Sequence, residues 1–323
     1  MLLSKNRIKV ISIVGPTASG KTALSIAVAK TFGGEIVSCD SMQIYKGMNI
    51  ATAKPSAREQ AGIPHHLMDF ADPADVYSVA KYVEDATIAI KDISAREKLP
   101  VIVGGTGLYV DSLLGGISFS EGDTNLSLRS DLQKKLDEVG IDGMLTLLSE
   151  FDPASAKKMS FERNPKRIIR AIEVYYTTGI TMTEQNIHSR DKASIFEPVK
   201  IGINFRDRDN LYNRINLRVD MMLEAGLLDE TKQFLSLPEG ETSKQAIGYK
   251  ELKPYFDGLK SLEECVETLK RSTRRYAKRQ LTWFNRDPDI EWFFADDYSN
   301  AQELHTQIIS YLVSKGFDIN EKA

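Results

Sequence analysis

One octapeptide constrains this chain more than any other feature. Gly15-Pro16-Thr17-Ala18-Ser19-Gly20-Lys21-Thr22 comes directly after the β-branched apolar run IKVISIV at 8–14. It matches G-x-x-x-x-G-K-[ST], a loop that works only where a buried strand enters and a helix leaves. Glycines let the backbone wrap round a phosphate with its N–H groups pointing inward. The start of the next helix, expected from about Thr22 to Phe32, adds its dipole to the same site. Lys21 supplies a positive charge, and the Thr22 hydroxyl is a candidate ligand for Mg²⁺. All eight residues, Gly15, Pro16, Thr17, Ala18, Ser19, Gly20, Lys21 and Thr22, are therefore candidate phosphate-binding positions. The loop does not say whether it holds a nucleoside triphosphate, a kinase donor or an isoprenoid diphosphate.

The rest of the chain extends this beginning into an α/β fold. EIVSC at 35–39 reads as a second short strand ending at Asp40. Val76, Val79, Val83, Ala86, Ile90 and Ile93 mark one apolar helix face. Pro100 ends the segment after that helix, and VIV at 101–103 is a third buried strand. From about 118 to 196 no buried strand is evident. Leu128, Leu132, Leu136 and Val139 suggest one helix there and GMLTLLSEF another, while Asn164-Pro165 opens a third that ends near Gly179. VKIGINF at 199–205 returns to strand, and Leu211, Ile215, Val219 and Met222 line a helix after it. Residues 262–285 read as a basic helix, IEWFF at 290–294 as a late strand, and Ser299 with Gln302 as a capping box for the last helix. The expected architecture is a P-loop NTPase-like parallel sheet flanked by helices, formed by 1–117 and 197–323, with an all-helical insertion at 118–196.

Composition narrows the class without naming it. The chain has 323 residues, 42% hydrophobic and 27% charged, enough for a large core with an insertion. The net charge of −3 argues mildly against nucleic acid as a partner of the whole surface, so charge has to be read by segment. Two distant cysteines, Cys39 and Cys265, form no C-x-x-C pair and suit a reducing compartment. The opening MLLSKNRIKVISIVGP has a short apolar run broken by Lys9, unlike a signal peptide or a membrane span. The expectation is a cytoplasmic, monomeric enzyme with no membrane association.

Two further strand ends carry chemistry. Open α/β sheets bind ligands at the carboxyl ends of their strands, and Asp40-Ser41-Met42-Gln43 lies at one. Asp40 offers a base there, or an Asx turn. Gln43 offers a donor and an acceptor for a base edge. At another strand end, Gly104-Gly105-Thr106-Gly107-Leu108-Tyr109 replaces the carboxylate that many P-loop NTPases place near Mg²⁺. Its glycines permit close approach, and Thr106 is a candidate donor to a phosphate oxygen.

Seven blocks in order then carry a resemblance: GPTASGKT, DSMQIYKGMNIATAKP, GIPHHLMDF, VIVGGTGLY, NPKRIIRAIEVY, QAIGYKEL and YAKRQLTWF. Together they resemble the bacterial tRNA dimethylallyltransferase (tRNA isopentenyltransferase) family over roughly 10–286. The resemblance implies transfer of a dimethylallyl group from dimethylallyl diphosphate to N6 of the adenosine immediately 3′ of the anticodon. By it, Asp40 is the general base, and Lys21, Thr22 with Mg²⁺, and Thr106 stabilise the departing diphosphate. It also implies tRNA contacts at Asp40, Ser41, Met42 and Gln43, and at Lys166, Arg167, Ile168, Ile169 and Arg170. Of Arg214 and Arg218 in RINLRVDMM, Arg218 is the one expected to reach the diphosphate.

Lys270, Arg271, Arg274, Arg275, Lys278 and Arg279 crowd one stretch, with Trp283, Phe284 and Arg286 just beyond it. On a helix, 271, 274, 275 and 278 share a face. Phosphate contacts plus an aromatic platform suit RNA, so Arg274, Arg275, Lys278 and Arg279 are expected at the anticodon stem-loop. His65-His66 lacks a third ligand at zinc-like spacing, and Cys39 lacks a base partner. Three rivals remain: a small-molecule kinase, an enzyme alkylating free adenylate, and a non-catalytic RNA-binding module. The basic stretch counts against the first two, and intact Lys21, Thr22 and Asp40 against the third.

Overall fold

A computed structural model describes residues 7–116, 126–190, 194–237, 240 and 242–320. IKVISIV becomes β1 (Ile8–Val14), and its Val10, Ile11, Ile13 and Val14 are sealed from solvent on both faces. That burial needs partners on either side, and β1 has them in β4 (Leu99–Gly104) and β5 (Phe196–Asn204). With β2 (Gly34–Ser38), β3 (His65–His66) and β6 (Ile290–Phe294), the strand order is β3-β2-β4-β1-β5-β6, every pairing parallel.

Alternate side chains of these strands feed two cores. One face packs Ile11, Ile13, Ile36, Val101 and Ile201 against α1 (Lys21–Phe32) and the last helix, α13 (Ala301–Ser314). The other packs Val10, Val14, Val37 and Ile102 against α3 (Val79–Ala95) and α4 (Gly107–Leu114). Between these, α2 (Ala57–Gln60) precedes β3. After β5 come α9 (Arg208–Glu224), α10 (Leu227–Leu235), α11 (Tyr249–Phe256) and α12 (Leu262–Phe284). Because the chain skips from β1 over β4 to β2, the turns after these three strands emerge side by side at one end of the sheet.

The chain divides into two compact units, Met1–Leu114 with Ile195–Ala323, and Gly115–Ser194. The second holds α5 (Leu126–Ser149), α6 (Pro153–Glu162), α7 (Pro165–Thr178) and α8 (Met182–Arg190). Leu132, Met144, Leu148, Ile168 and Ile172 form its own core. The expected boundary at 117–118 falls outside the described residues.

Several local expectations are corrected. Val76 lies ahead of α3, 72% exposed, because Ser78 caps the helix and starts it later. Pro100 sits inside β4, opposite Glu35 of β2, near the strand's beginning where a missing N–H is tolerated. The two helices expected across 128–151 are divided by Gly140, whose φ of 69° and ψ of −178° break the helical path. The last helix is capped one residue later than expected, by Asn300 accepting from the Glu303 N–H. Asp152, with proline next to it, caps α6, a helix not expected from the sequence. No helix among the described residues is long and apolar enough to cross a membrane.

Candidate functional site

The phosphate loop turns where the sequence places it, and its conformation is held by side chains far away in the chain. Lys21 Nζ donates to the Pro16 carbonyl at 2.6 Å. The loop's outer edge is held by Arg214, whose Nε donates to the Ala18 carbonyl at 3.0 Å. Burial pulls the Lys21 ammonium down to a pKa of about 7, the positive charge of Arg218 adds to this, and Asp40 opposes it. Arg218 is likewise depressed, mainly by burial, with Asp40 and Glu59 opposing and Arg214 adding to the effect. Two cations held together in a partly desolvated site are unfavourable unless an anion joins them. Neither Arg218 nor the Thr22 hydroxyl has a hydrogen-bond partner among the described residues.

Asp40 lies two residues beyond β2. Its Oδ1 accepts from the Met42 N–H at 2.9 Å and the Gln43 N–H at 3.4 Å, an Asx turn. Oδ2 takes no bond from the described residues, and the side chain lines the cavity that Lys21 and Arg218 also line. Turn and free oxygen thus coexist on one carboxylate.

The turn after β4 is packed against α12. A Cβ on Gly105 would stand 2.0 Å from Gln280 Nε2, and one on Gly107 2.3 Å from the Trp283 ring. Glycine is required at both because helix side chains lie on the backbone itself. Thr106, expected to stabilise the departing diphosphate, bonds within the protein. Its hydroxyl accepts from the Ser41 N–H at 3.0 Å and lies against the Tyr276 phenol, and it does not line the cavity. It ties the β4 turn to the Asp40 segment.

These turns open on a cavity of 240 Å³. Thr17, Lys21, Thr22, Asp40 and Arg218 form a polar end. Ile215, Val219, Met222 and Leu227 add an apolar wall, completed by Leu269 of α12. Of the loop, only Thr17, Lys21 and Thr22 line it; Gly15, Pro16, Ala18, Ser19 and Gly20 shape the turn. Ser41, Met42 and Gln43 line it too, but both amide hydrogens of Gln43 go to main-chain carbonyls, Thr52 at 3.1 Å and Ala53 at 3.3 Å. Gln43 thus lines the cavity while its amide also holds the main chain at 52–53. The Thr52 and Ala53 stretch is itself anchored by Glu230, which accepts from Asn49, Ile50 and Ala51 N–H groups at 2.8–2.9 Å.

Helix α12 presents different residues on different sides. Leu269, Thr273, Tyr276 and Gln280 face the cavity, with Arg279 at its edge. Arg271, Arg275, Lys278 and Arg279 are exposed. Arg274 turns to α9, donating to Asn216 Oδ1 at 2.6 Å. Lys270 pairs with Asp220, also of α9, at 2.7 Å. Of the two aromatics beyond them, Phe284 is buried, and Trp283 covers Gly107 and donates from Nε1 to Asp111 at 2.7 Å.

In the insertion, Ile168 and Ile169 are buried in that unit's core. Arg167 pairs with Glu162, Arg170 with the fully buried Glu173 at 3.0 Å, and Lys166 is exposed. His65 and His66 point apart: His65 lines the cavity, and His66 bonds Glu35 at 2.8 Å. Burial pushes the Cys39 thiol far up. No cluster of three metal-ligating side chains exists among the described residues.

Gln280, Tyr276 and Glu230 were missed in the sequence. The available signal was Gln280 itself, a polar residue in register with Cys265, Leu269, Ala277 and Phe284 on the buried stripe of a basic helix.

Two family descriptions match: "IPP transferase" over residues 43–287 and "Isopentenyl transferase" over 8–71. A tRNA dimethylallyltransferase from Caldanaerobacter subterraneus subsp. tengcongensis is 45% identical over 311 residues, 95% of this chain and 98% of that one. One from Bacillus cytotoxicus is 47% identical over 301 residues, covering 93% and 94%. The crystal structure of full-length tRNA isopentenylpyrophosphate transferase from Bacillus halodurans superposes with TM-score 0.70 at 41% identity, covering 95% and 96%. A eukaryotic dimethylallyltransferase acting on tRNA gives TM-score 0.79 at 30% identity, covering 97% of this chain and 81% of its own. With motifs, sheet order and full-length similarity in agreement, this chain belongs to the tRNA dimethylallyltransferase family, that of the IPP transferases.

Proposed function

We propose that the protein transfers a dimethylallyl group from dimethylallyl diphosphate to N6 of the adenosine immediately 3′ of the anticodon in tRNA, releasing diphosphate. One observation carries the reading: a cavity lined by two half-buried cations and a carboxylate, with an apolar wall beside them. That division matches a donor with a charged diphosphate and a short hydrocarbon group.

The N6 lone pair attacks the first allylic carbon, the carbon–oxygen bond breaks, and its electron pair leaves with the diphosphate. The N6 proton passes to Asp40, whose Oδ2 has no other partner among the described residues. Lys21 and Arg218 oppose the charge growing on the leaving oxygen, fixed in place before reaction begins. Thr106 acts through Ser41 by holding the Asp40 turn.

The site fits Mg²⁺ as the cofactor. The Thr22 hydroxyl lines the cavity with no protein partner among the described residues, and no side-chain cluster there would favour zinc. Mg²⁺ takes one or two protein ligands and fills its sphere with phosphate oxygens and water; bound here, it would neutralise diphosphate charge. The anticodon stem-loop is read as lying along the exposed side of α12, with Arg275, Lys278 and Arg279, and at Lys166 of the insertion. The reading takes the protein to act as a monomer, and tRNA as substrate supports a cytoplasmic location.

The direct test incubates purified protein with unmodified tRNA, radiolabelled dimethylallyl diphosphate and Mg²⁺, with ATP and small acceptors in parallel. Label in tRNA is expected; phosphate transfer from ATP without label in tRNA would replace this reading with a kinase. Asp40→Asn is expected to lower turnover by about 10²–10⁴-fold with tRNA bound as before. Near-normal turnover in that variant would remove the base assignment.

A further inference from the structure

The phosphate loop and the β4 turn are far apart in sequence, yet both are held by one side chain that no chemistry so far has used. Gln280 is 5% exposed on α12. Its Oε1 accepts from the Thr17 N–H at 2.9 Å, and its Nε2 donates to the Gly105 carbonyl at 3.0 Å. The orientation of the amide is not arbitrary, because a main-chain N–H can only donate and a carbonyl only accept. The Tyr276 phenol, one turn earlier, lies against both Gln280 and Thr106.

We propose that Gln280 is a positioning residue that sets the separation of the phosphate loop from the Gly105–Thr106 turn, and with it the width of the diphosphate cradle. The inference rests on the proposed transferase reading for its kinetic consequences, but not for its effect on anion binding. Three observations support it. Gly105 has no room for a side chain because Gln280 occupies that space. The Thr17 N–H is committed to Gln280, which leaves the N–H groups that open α1 to face an anion. The bond to Gly105 holds the start of the turn whose Thr106 secures the Asp40 segment. One carboxamide therefore joins the loop that would hold the leaving group to the turn that holds the base.

The test uses Gln280→Met, of similar length but without either hydrogen bond, and Gln280→Glu, which keeps the acceptor for Thr17 and loses the donor to Gly105. Inorganic pyrophosphate binding, tRNA binding, thermal melting and steady-state kinetics are measured on each full-length variant. Each lost bond is expected to weaken pyrophosphate binding about three- to tenfold. KM for dimethylallyl diphosphate should rise in parallel, with tRNA binding within about twofold of the parent. If Gln280→Met fails to fold, Gln280→Glu alone decides. Unchanged pyrophosphate binding in the folded variants overturns the proposal, and so does an equal loss of tRNA and pyrophosphate binding with lowered melting, which would make Gln280 a general fold residue. If the parent protein does not prenylate tRNA but the variants still lose pyrophosphate binding, the transferase reading fails and the role of Gln280 stands.

Discussion

In α7 both arginines are answered from within the same unit, Arg167 by Glu162 and Arg170 by Glu173, which also holds Arg129, and only Lys166 stands exposed without such a partner among the described residues. In α12 the answer is one-sided. Asp220 and Asn216 of α9 take Lys270 and Arg274, while Arg271, Arg275 and Lys278 stand exposed without a carboxylate partner among the described residues. Both stretches read alike as letters. Attraction for a polyanion depends on charge that neighbours have not neutralised, because affinity comes from the counterions such charge displaces. The chain's net charge of −3 is thus compatible with a locally basic face.

The largest expected effect comes from that asymmetry. Replacing Arg271, Arg275 and Lys278 together by Ala should weaken tRNA binding about 10- to 100-fold and reduce the salt-dependence slope by roughly 2. Dimethylallyl diphosphate KM should stay unchanged, and filter binding across salt concentrations reads both affinity and slope. An unchanged slope would put the RNA elsewhere.

Next comes Glu173→Gln, which leaves Arg129 and Arg170 without their shared carboxylate. Breaking a buried pair is costly, but both arginines are about half exposed, so a loss of about 1–2 kcal/mol in urea unfolding is expected. A neutral result would make those cations free for RNA and erase the contrast with α12.

Lys21 is a third kind of charge, half-buried in the cavity rather than paired or exposed. Its pKa of about 7 lies below the ordinary 10.5. Anion binding restores the ammonium, so binding takes up a proton above pH 7. Diphosphate affinity should be full below that pH and fall by up to about tenfold per unit above it. Lys21→Arg, charged throughout, should lack that component; titration calorimetry of both proteins decides.

The smallest effect is assigned to Arg167→Ala. It should change tRNA affinity by no more than about twofold and stability by about 0.5 kcal/mol. A larger loss of affinity would show that the Glu162 pair opens when RNA arrives.

Much of this architecture was legible in the chain. Local patterns suffice where the physics is local: β1 and β6 fall where apolar runs placed them, and α7 runs between an Asn-Pro start and a glycine stop. The site was legible where its residues sit at strand ends, as with Lys21, Thr22 and Asp40. The bonding of a site residue was not legible where it depends on a distant neighbour. Thr106, Gln43 and Arg274 are each drawn into a hydrogen bond by another segment, and Trp283 is claimed by Gly107 and Asp111.

The sequence alone determined the parallel sheet, the phosphate loop and the family, because each is written in contiguous residues whose spacing mirrors a helix, a strand or a turn. Tertiary structure alone decided which cations stay unpaired and that Gln280 joins two loops. Those outcomes depend on strand order and helix packing, which bring residues from remote parts of the chain within hydrogen-bonding distance.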